Sequence, residues 1–244
     1  MPASPFELLA LDTLLSEEER AIRDTVRQFG DDRLRPHVAD WFEAGTIPAR
    51  ELAKELGSLG VLGMHLEGYG AAGTSAVAYG LACMELEAVD SGIRSLVSVQ
   101  GSLAMFSIWK WGTEEQKQRW LPHLAAGDAI GCFGLTEPDF GSDPGGMRTR
   151  ARKDGKDWVL NGSKNFITHG SVGDVAVLLA VTDRTAGTHG ISAFVVDLHQ
   201  QGIRAGKKEN KLGLRASDTA TLVMEDCRIP RENLLGHLGT GFSQ

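Results

Sequence analysis

The stretch GCFGLTEPDFGSD, Gly131–Asp143, decides how the rest of the chain is read. It opens as a β-rich apolar run, Ile130–Leu135, and breaks at Thr136-Glu137-Pro138. The proline confines Glu137 to extended geometry and removes a donor, while Gly141 frees the backbone to turn. Such a turn exposes backbone N–H groups at the tip of a strand. Upstream, from Ser16 to about Gly127, the apolar residues recur at helical spacing. Ser16 and Glu19 have the form of a capping box ahead of Ile22, Val26 and Phe29, and Pro48 opens a second helix. Thr74 to Val89 makes a third, and a fourth carries Leu96, Val99, Leu103 and Phe106 on one stripe. Thr113 and Gln116 cap a fifth. Downstream, Val159, Val175, Val177, Leu179, Val181, Ile191, Phe194 to Val196 and Leu222 to Met224 sit in short β-rich runs. Asp154-Gly155 and Asn161-Gly162 lie between such runs as tight-turn dipeptides. Helices followed by strands, rather than strict alternation, predict an α+β chain. Its expected parts are a helical domain up to about residue 127 and a second domain of antiparallel strands after it.

The 244 residues are 42% apolar, enough for a sizeable core. Net charge is −7, from 25 basic and 32 acidic residues, so no positive field favours nucleic acid or anionic lipid. Cys83, Cys132 and Cys227 form no CxxC pair and suit reduced thiols in a cytoplasmic compartment. MPASPFELLALDTLLSEEER has no basic leader region, and no run of 18 uncharged apolar residues follows. No HExxH, CxxC or clustered His/Asp set points to a metal, and isolated histidines such as His37 read as surface or core residues.

Gly68-Tyr69-Gly70-Ala71-Ala72-Gly73 fits GxGxxG, with Asp90 near the place of a ribose-binding acid. That fingerprint needs a strand before it and a second strand after the helix. Here helical pattern stands on both sides, so the stretch reads as a glycine-rich loop between helices.

A second stretch, LNGSKNFITHG (Leu160–Gly170), repeats the design of the first: an Asn-Gly turn, then a short strand ending in Thr168 and Gly170. If the two strand ends are neighbours, Thr136 and Thr168 present two hydroxyls and several backbone groups to one flat polar ligand, with Phe166 packing beside it. A flavin ring has that shape.

GCFGLTEPDFGSD followed by LNGSKNFITHG resembles the paired flavin-binding signature of acyl-CoA dehydrogenases. VDSGIRSLVSVQGSLAMFSIWKWGTEEQKQRWLPHLAAGD resembles the end of that family's helical domain, and KKENKLGLRASDTATLVMEDCRIPRENLLG the end of its β-barrel domain, which implies an N-terminal all-α helical domain over residues 1–127 and an antiparallel, flavin-binding β-barrel domain over 128–238. The resemblance implies FAD as cofactor and α,β-dehydrogenation of an acyl-CoA, with electrons passed to an electron-transfer flavoprotein. It places Phe133, Leu135 and Thr136 along the flavin pyrimidine edge, Thr168 near the reactive N5, Phe166 and Ile167 as walls, and Gly141 and Ser142 at the pyrophosphate or the CoA arm. Arg94 and Ser95, in DSGIRSL, resemble the pair that holds the far carboxylate of the substrate in glutaryl-CoA dehydrogenases; a guanidinium can clasp a carboxylate bidentately. The plain alternative is an arginine that is solvated or paired with Asp90. The segment GKKENKLGLRASDT resembles short-chain acyl-CoA dehydrogenases instead.

His169 stands where the family usually has asparagine, and Phe166 where it often has tryptophan. Residues 239–244 fall where the family begins a C-terminal helical domain that carries the catalytic base and builds a tetramer. The expectation is therefore a piece with no catalytic residue of its own. The second reading is a non-catalytic flavin or acyl-CoA binding or interaction protein.

Overall fold

A computed structural model describes residues 10–244; the N-terminal stretch weighed above as a leader falls partly outside them. Helix α1 (Glu17–Phe29) begins at the expected capping box: Glu19 N–H donates to the Ser16 hydroxyl at 3.1 Å, and Ser16 N–H to the Glu19 carboxylate at 2.9 Å. Helix α2 spans Val38–Ala44, α3 spans Ala49–Ser58 directly after Pro48, and α4 spans Ala76–Glu87 with Ser75 as its cap. Asp90 caps α5 (Ser91–Ser98) by accepting from the Gly92 and Ile93 N–H groups. Helix α6 is Phe106–Trp111, and α7 (Glu114–Ala126) starts at the Thr113/Gln116 capping box.

Between α5 and α6 the backbone is π-helical over Val99–Met105, and this overturns the expected apolar stripe. The widened turn shifts the phase of the helix. Gln100, Gly101, Ala104 and Met105 turn inward, while Leu103 is 41% exposed. Gln100 explains the shift. Its amide donates to the Leu124 and Ala129 carbonyls at 2.9 and 2.8 Å and accepts from Gly131 N–H at 2.7 Å, joining the helices to the first residue of the sheet.

The GxGxxG stretch is a two-stranded hairpin between helices. Strands β1 (Glu67–Gly68) and β2 (Ala71–Ala72) pair antiparallel, with Tyr69 and Gly70 at positive φ in the turn. There is no strand-turn-helix-strand unit there, as expected.

The second half holds β3 (Gly131–Gly134), β4 (Arg150–Asp154), β5 (Asp157–Thr168), β6 (Val175–Val181), β7 (Ile191–Asp197), β8 (Ile203–Lys208), β9 (Thr219–Pro230) and β10 (Leu234–Leu235). The expected barrel is not closed. The order is β10-β7-β6-β4-β5-β9-β8, with β3 also on β6, which leaves edges at β10 and β8. Nor is it wholly antiparallel, because β6 pairs parallel with both β3 and β4. Closure fails because β10 is only two residues long and β8 is a charged edge, with Arg204, Lys207 and Lys208 exposed.

The sheet folds over its own core of Cys132, Leu160, Ile167, Leu178, Phe194 and Leu222. The other face of β6 and β7 (Val175, Val177, Leu179, Ala193, Val195) packs with Met105, Ile108, Leu121 and Leu124 of the helices. Burial on both faces is why VAVLLAV is apolar without alternation.

Gly155 sits in a two-residue turn between β4 and β5, as expected. Asn161-Gly162 does not turn the chain. It is a bulge inside β5, fixed by paired Asn161–Asp226 hydrogen bonds of 3.0 Å. Glycine is required because φ is 144° and a Cβ would lie 2.7 Å from Thr149 Cα. Across the two halves, Asp174 accepts from Arg50 of α3 at 2.8 Å and from Ile130 N–H at 2.7 Å.

Candidate functional site

The tips of β3 and β5 lie side by side. Asn165 N–H donates to the Thr136 carbonyl at 2.8 Å, and at the other end His169 Nδ1 bonds the Gly131 carbonyl at 2.8 Å. Residues 131–136 therefore run alongside 169–165, and Thr168 lies three residues beyond the one that holds Thr136. On extended backbone that is at most about 10 Å. Both threonines are half-buried, and neither hydroxyl bonds another described residue.

The second register break in β5, between Lys164 and Ile167, sets the direction of the neighbouring side chains. Phe166 takes φ 57° and stands 61% exposed, while Ile167 returns to the core enclosed by the folded sheet. Of the two expected walls, only Phe166 offers its side chain; Ile167 borders the ledge through its backbone. Phe133 and Leu135 likewise send their side chains toward the apolar cluster between sheet and helices. Beyond Thr136, Glu137 and Phe140 exchange backbone hydrogen bonds of 3.1 Å around Pro138-Asp139, and Gly141 and Ser142 follow in an exposed loop.

Below the ledge lies an ion pair that sequence reasoning missed. Lys164 is fully buried, and its ammonium donates to Glu137 at 2.8 Å and to the Leu135 carbonyl at 3.1 Å. Glu137 also accepts from the Arg148 and Thr149 N–H groups at 2.6 and 2.9 Å. Burial by itself raises a carboxyl pKa, but these donors outweigh it and hold Glu137 below its ordinary value. Burial also draws the Lys164 ammonium down, against the pull of Glu137. The signal available in sequence was slight: a lysine in a strand whose bulges hide which face it takes.

His169, which the sequence offered only as a departure from asparagine, is buried at φ 66°, and burial depresses its pKa. The carbonyl at Nδ1 requires that nitrogen to carry the proton. Its backbone N–H donates to the Asp218 carbonyl at 3.0 Å, and the Asp218 carboxylate accepts from Ser171.

Arg94 does not pair with Asp90, which is occupied as the helix cap. Its Nε donates to Glu87 at 2.6 Å and a terminal nitrogen donates to Ser98 at 3.2 Å, leaving N–H groups of the fork unused among the described residues. The guanidinium is about one-third exposed. Ser95 adjoins it, and its carbonyl accepts from the Ser98 hydroxyl. One turn away the Tyr79 hydroxyl is 2.7 Å from Ser102, with its pKa pushed up to about 12 by burial. The start of α5 abuts the loop that holds His169: a Cβ on Gly92 would lie 2.9 Å from Ser217 N. The helix that carries Arg94 thus packs directly on the loop beside the threonine ledge.

Among the described residues no group of three or more His, Cys, Asp or Glu could hold a metal ion, and no helix is long and apolar enough to cross a membrane. The three cysteines are free thiols.

The architecture is a helical domain laid against an open, folded sheet, with two hydroxyl-bearing strand tips side by side. The chain belongs to the acyl-CoA dehydrogenase family: residues 16–128 match its N-terminal domain and residues 132–227 its middle domain. It is similar to a glutaryl-CoA dehydrogenase from Mycobacterium smegmatis solved in complex with FADH2, at 61% identity and a TM-score of 0.91 over 95% of this chain and 58% of that one. It is 43% identical to the mitochondrial short-chain specific acyl-CoA dehydrogenase of Mus musculus over 93% of this chain and 55% of that protein. It is 42% identical to a short-chain specific acyl-CoA dehydrogenase of Clostridium acetobutylicum, over 95% of this chain and 61% of the relative. The chain therefore spans little more than half the length of these relatives.

Proposed function

We propose that this protein is an FAD-dependent acyl-CoA dehydrogenase of the glutaryl-CoA type. The observation that carries the reading is the hydrogen bond from Asn165 N–H to the Thr136 carbonyl, which brings onto one ledge two threonine hydroxyls that have no partner among the described residues. Exposed Phe166 flanks it, and Gly141 and Ser142 offer a small backbone and a hydroxyl beyond the turn. This donor set fits a planar ring with a polar edge and a phosphate tail. When bound, FAD supplies the hydride acceptor for α,β-dehydrogenation of an acyl thioester. Thr136 and Thr168 orient the ring by donation, and Phe166 covers apolar ring surface.

Three glutamates are each engaged in an ion pair. Glu137 binds Lys164, Glu85 binds Arg27 bidentately at 2.8 and 3.0 Å, and Glu87 binds Arg94. None of the three is assigned the α-proton. Arg94 and Ser95 are assigned to a distal substrate carboxylate, supported by the unused N–H groups of the fork and by the 61% identity to a glutaryl-CoA dehydrogenase. An electron-transfer flavoprotein as electron acceptor and a homotetrameric assembly belong to the same proposal. The test is direct: the purified chain is titrated with FAD and then, without oxygen, with glutaryl-CoA and butyryl-CoA. Saturable flavin uptake and a larger visible-spectrum response to glutaryl-CoA are expected. A folded chain that takes up no flavin refutes the reading; an equal response to both thioesters refutes the glutaryl assignment.

A further inference from the structure

Lys164 is among the largest of the fully buried side chains in the described residues, and the one that carries a charge. A lysine is almost never placed so without a reason beyond stability, because a buried ion pair does not in general outperform apolar side chains of the same volume. Its surroundings indicate the reason. The lysine stem passes beneath β3, where a Cβ on Gly134 would lie 3.2 Å from Lys164 Cγ. Its ammonium reaches the Leu135 carbonyl at 3.1 Å, and the next residue, Asn165, holds the Thr136 carbonyl at 2.8 Å. Both carbonyls of the Leu135-Thr136 dipeptide are thus drawn toward β5.

A trans peptide is planar, with its N–H opposed to its C=O. Holding the Leu135 carbonyl against Lys164 therefore turns Thr136 N–H the opposite way, and that N–H has no acceptor among the described residues. Glu137 completes the arrangement. It neutralises Lys164 at 2.8 Å and anchors the far side of the turn through Arg148 and Thr149 N–H. The pair spans 27 residues of sequence and joins both halves of the ledge.

Building on the flavin reading above, we infer that Lys164 and Glu137 are positioning residues: acting as a pair, they aim Thr136 N–H at the flavin and keep the floor beneath the ring electrically neutral. Neither touches the ligand. The apolar double variant Lys164→Met with Glu137→Gln removes the ammonium without stranding a charge, so it should fold even if a single substitution does not. In the full chain three readouts are compared with wild type: the thermal midpoint, the amide exchange rate of Asn165, and FAD affinity together with the visible spectrum.

The expected result is a midpoint within a few degrees of wild type, Asn165 exchange faster by about tenfold or more, and FAD bound about tenfold more weakly with a shifted spectrum. A purely structural role would lower the midpoint and leave the spectrum of bound flavin unchanged, which would overturn the inference. Unchanged Asn165 exchange would overturn it as well, and that readout needs no flavin. If the wild-type chain takes up no FAD, the flavin reading fails, while the exchange measurement still decides whether the pair holds the turn. If the double variant does not fold, Lys164→Arg decides between the two roles. Wild-type Asn165 exchange with unaltered FAD affinity would confirm that a cation is what the turn requires, and an unfolded Lys164→Arg chain would reduce the pair to a stability element.

Discussion

Replacing Gln100 by leucine isolates the junction between the helices and the sheet. The side chain is fully buried and of nearly conserved volume, so the change is in hydrogen bonding and not in packing. Three backbone groups depend on the amide: the carbonyls of Leu124 and Ala129 and the N–H of Gly131. The Leu124 carbonyl keeps a second donor, Gly127 N–H at 3.3 Å, which leaves two groups stranded. At about 1–3 kcal/mol for each buried unsatisfied group, the loss is about 2–6 kcal/mol. Burial of the new apolar surface offsets about 1–2 kcal/mol of it. The net expectation is about 3 kcal/mol, or a fall of about 6–12 °C in the unfolding midpoint for a chain of this size. Urea and thermal unfolding of both proteins give the numbers. Gln100→Glu should do at least as much damage at neutral pH, because it keeps the acceptor for Gly131 but turns a second acceptor toward two carbonyls. A loss below about 1 kcal/mol for the leucine variant would show that the π-helical stretch is not held by these bonds.

Three further outcomes are expected. Gly162→Ala should cost more than about 2 kcal/mol, because φ is 144° and Thr149 Cα would lie 2.7 Å from the new Cβ, whereas Gly155→Ala, at φ 62° in open space, should cost about 1 kcal/mol; equal losses in denaturant midpoints would contradict the bulge. His169 should make stability depend on pH in a defined direction. Its folded pKa is depressed by burial from 6.5, so the unfolded chain takes up a proton first; stability is intact above about pH 6.5 and falls as the pH drops from there toward the folded value. His169→Asn should flatten that part of the profile, and an unchanged slope would exclude His169 as its source. Arg94→Ala in the FAD-loaded chain should weaken glutaryl-CoA binding by about tenfold to a hundredfold, as expected for hydrogen bonds to a charged group, with little effect on butyryl-CoA; a parallel loss for both would remove the clasp.

What could be read from the letters was whatever depends on neighbours within a turn or two. The Ser16/Glu19 and Thr113/Gln116 capping boxes, the helix start after Pro48 and the Gly155 turn are all local hydrogen-bonding or φ preferences, and they stand where the pattern put them. The paired stretches around Thr136 and Thr168 were legible for the same reason, since each is a strand that ends in a turn.

The failures share the opposite cause. The stripe through Leu103 was lost because Gln100 is pulled inward by carbonyls 24 and 29 residues away. Asn161-Gly162 carries turn chemistry, but Asp226 and Thr149 make it a bulge. Lys164 looked like any strand lysine until Glu137 was placed beneath the same ledge.

The amino-acid sequence by itself determined most of the helix starts, the main β-rich runs and the residues that tip them, since these follow from backbone preferences and short-range periodicity. Only the tertiary structure decided which charges are buried, where the helix phase slips and that the sheet stays open, because the free energy of a buried polar group is set by the partner that long-range packing brings to it.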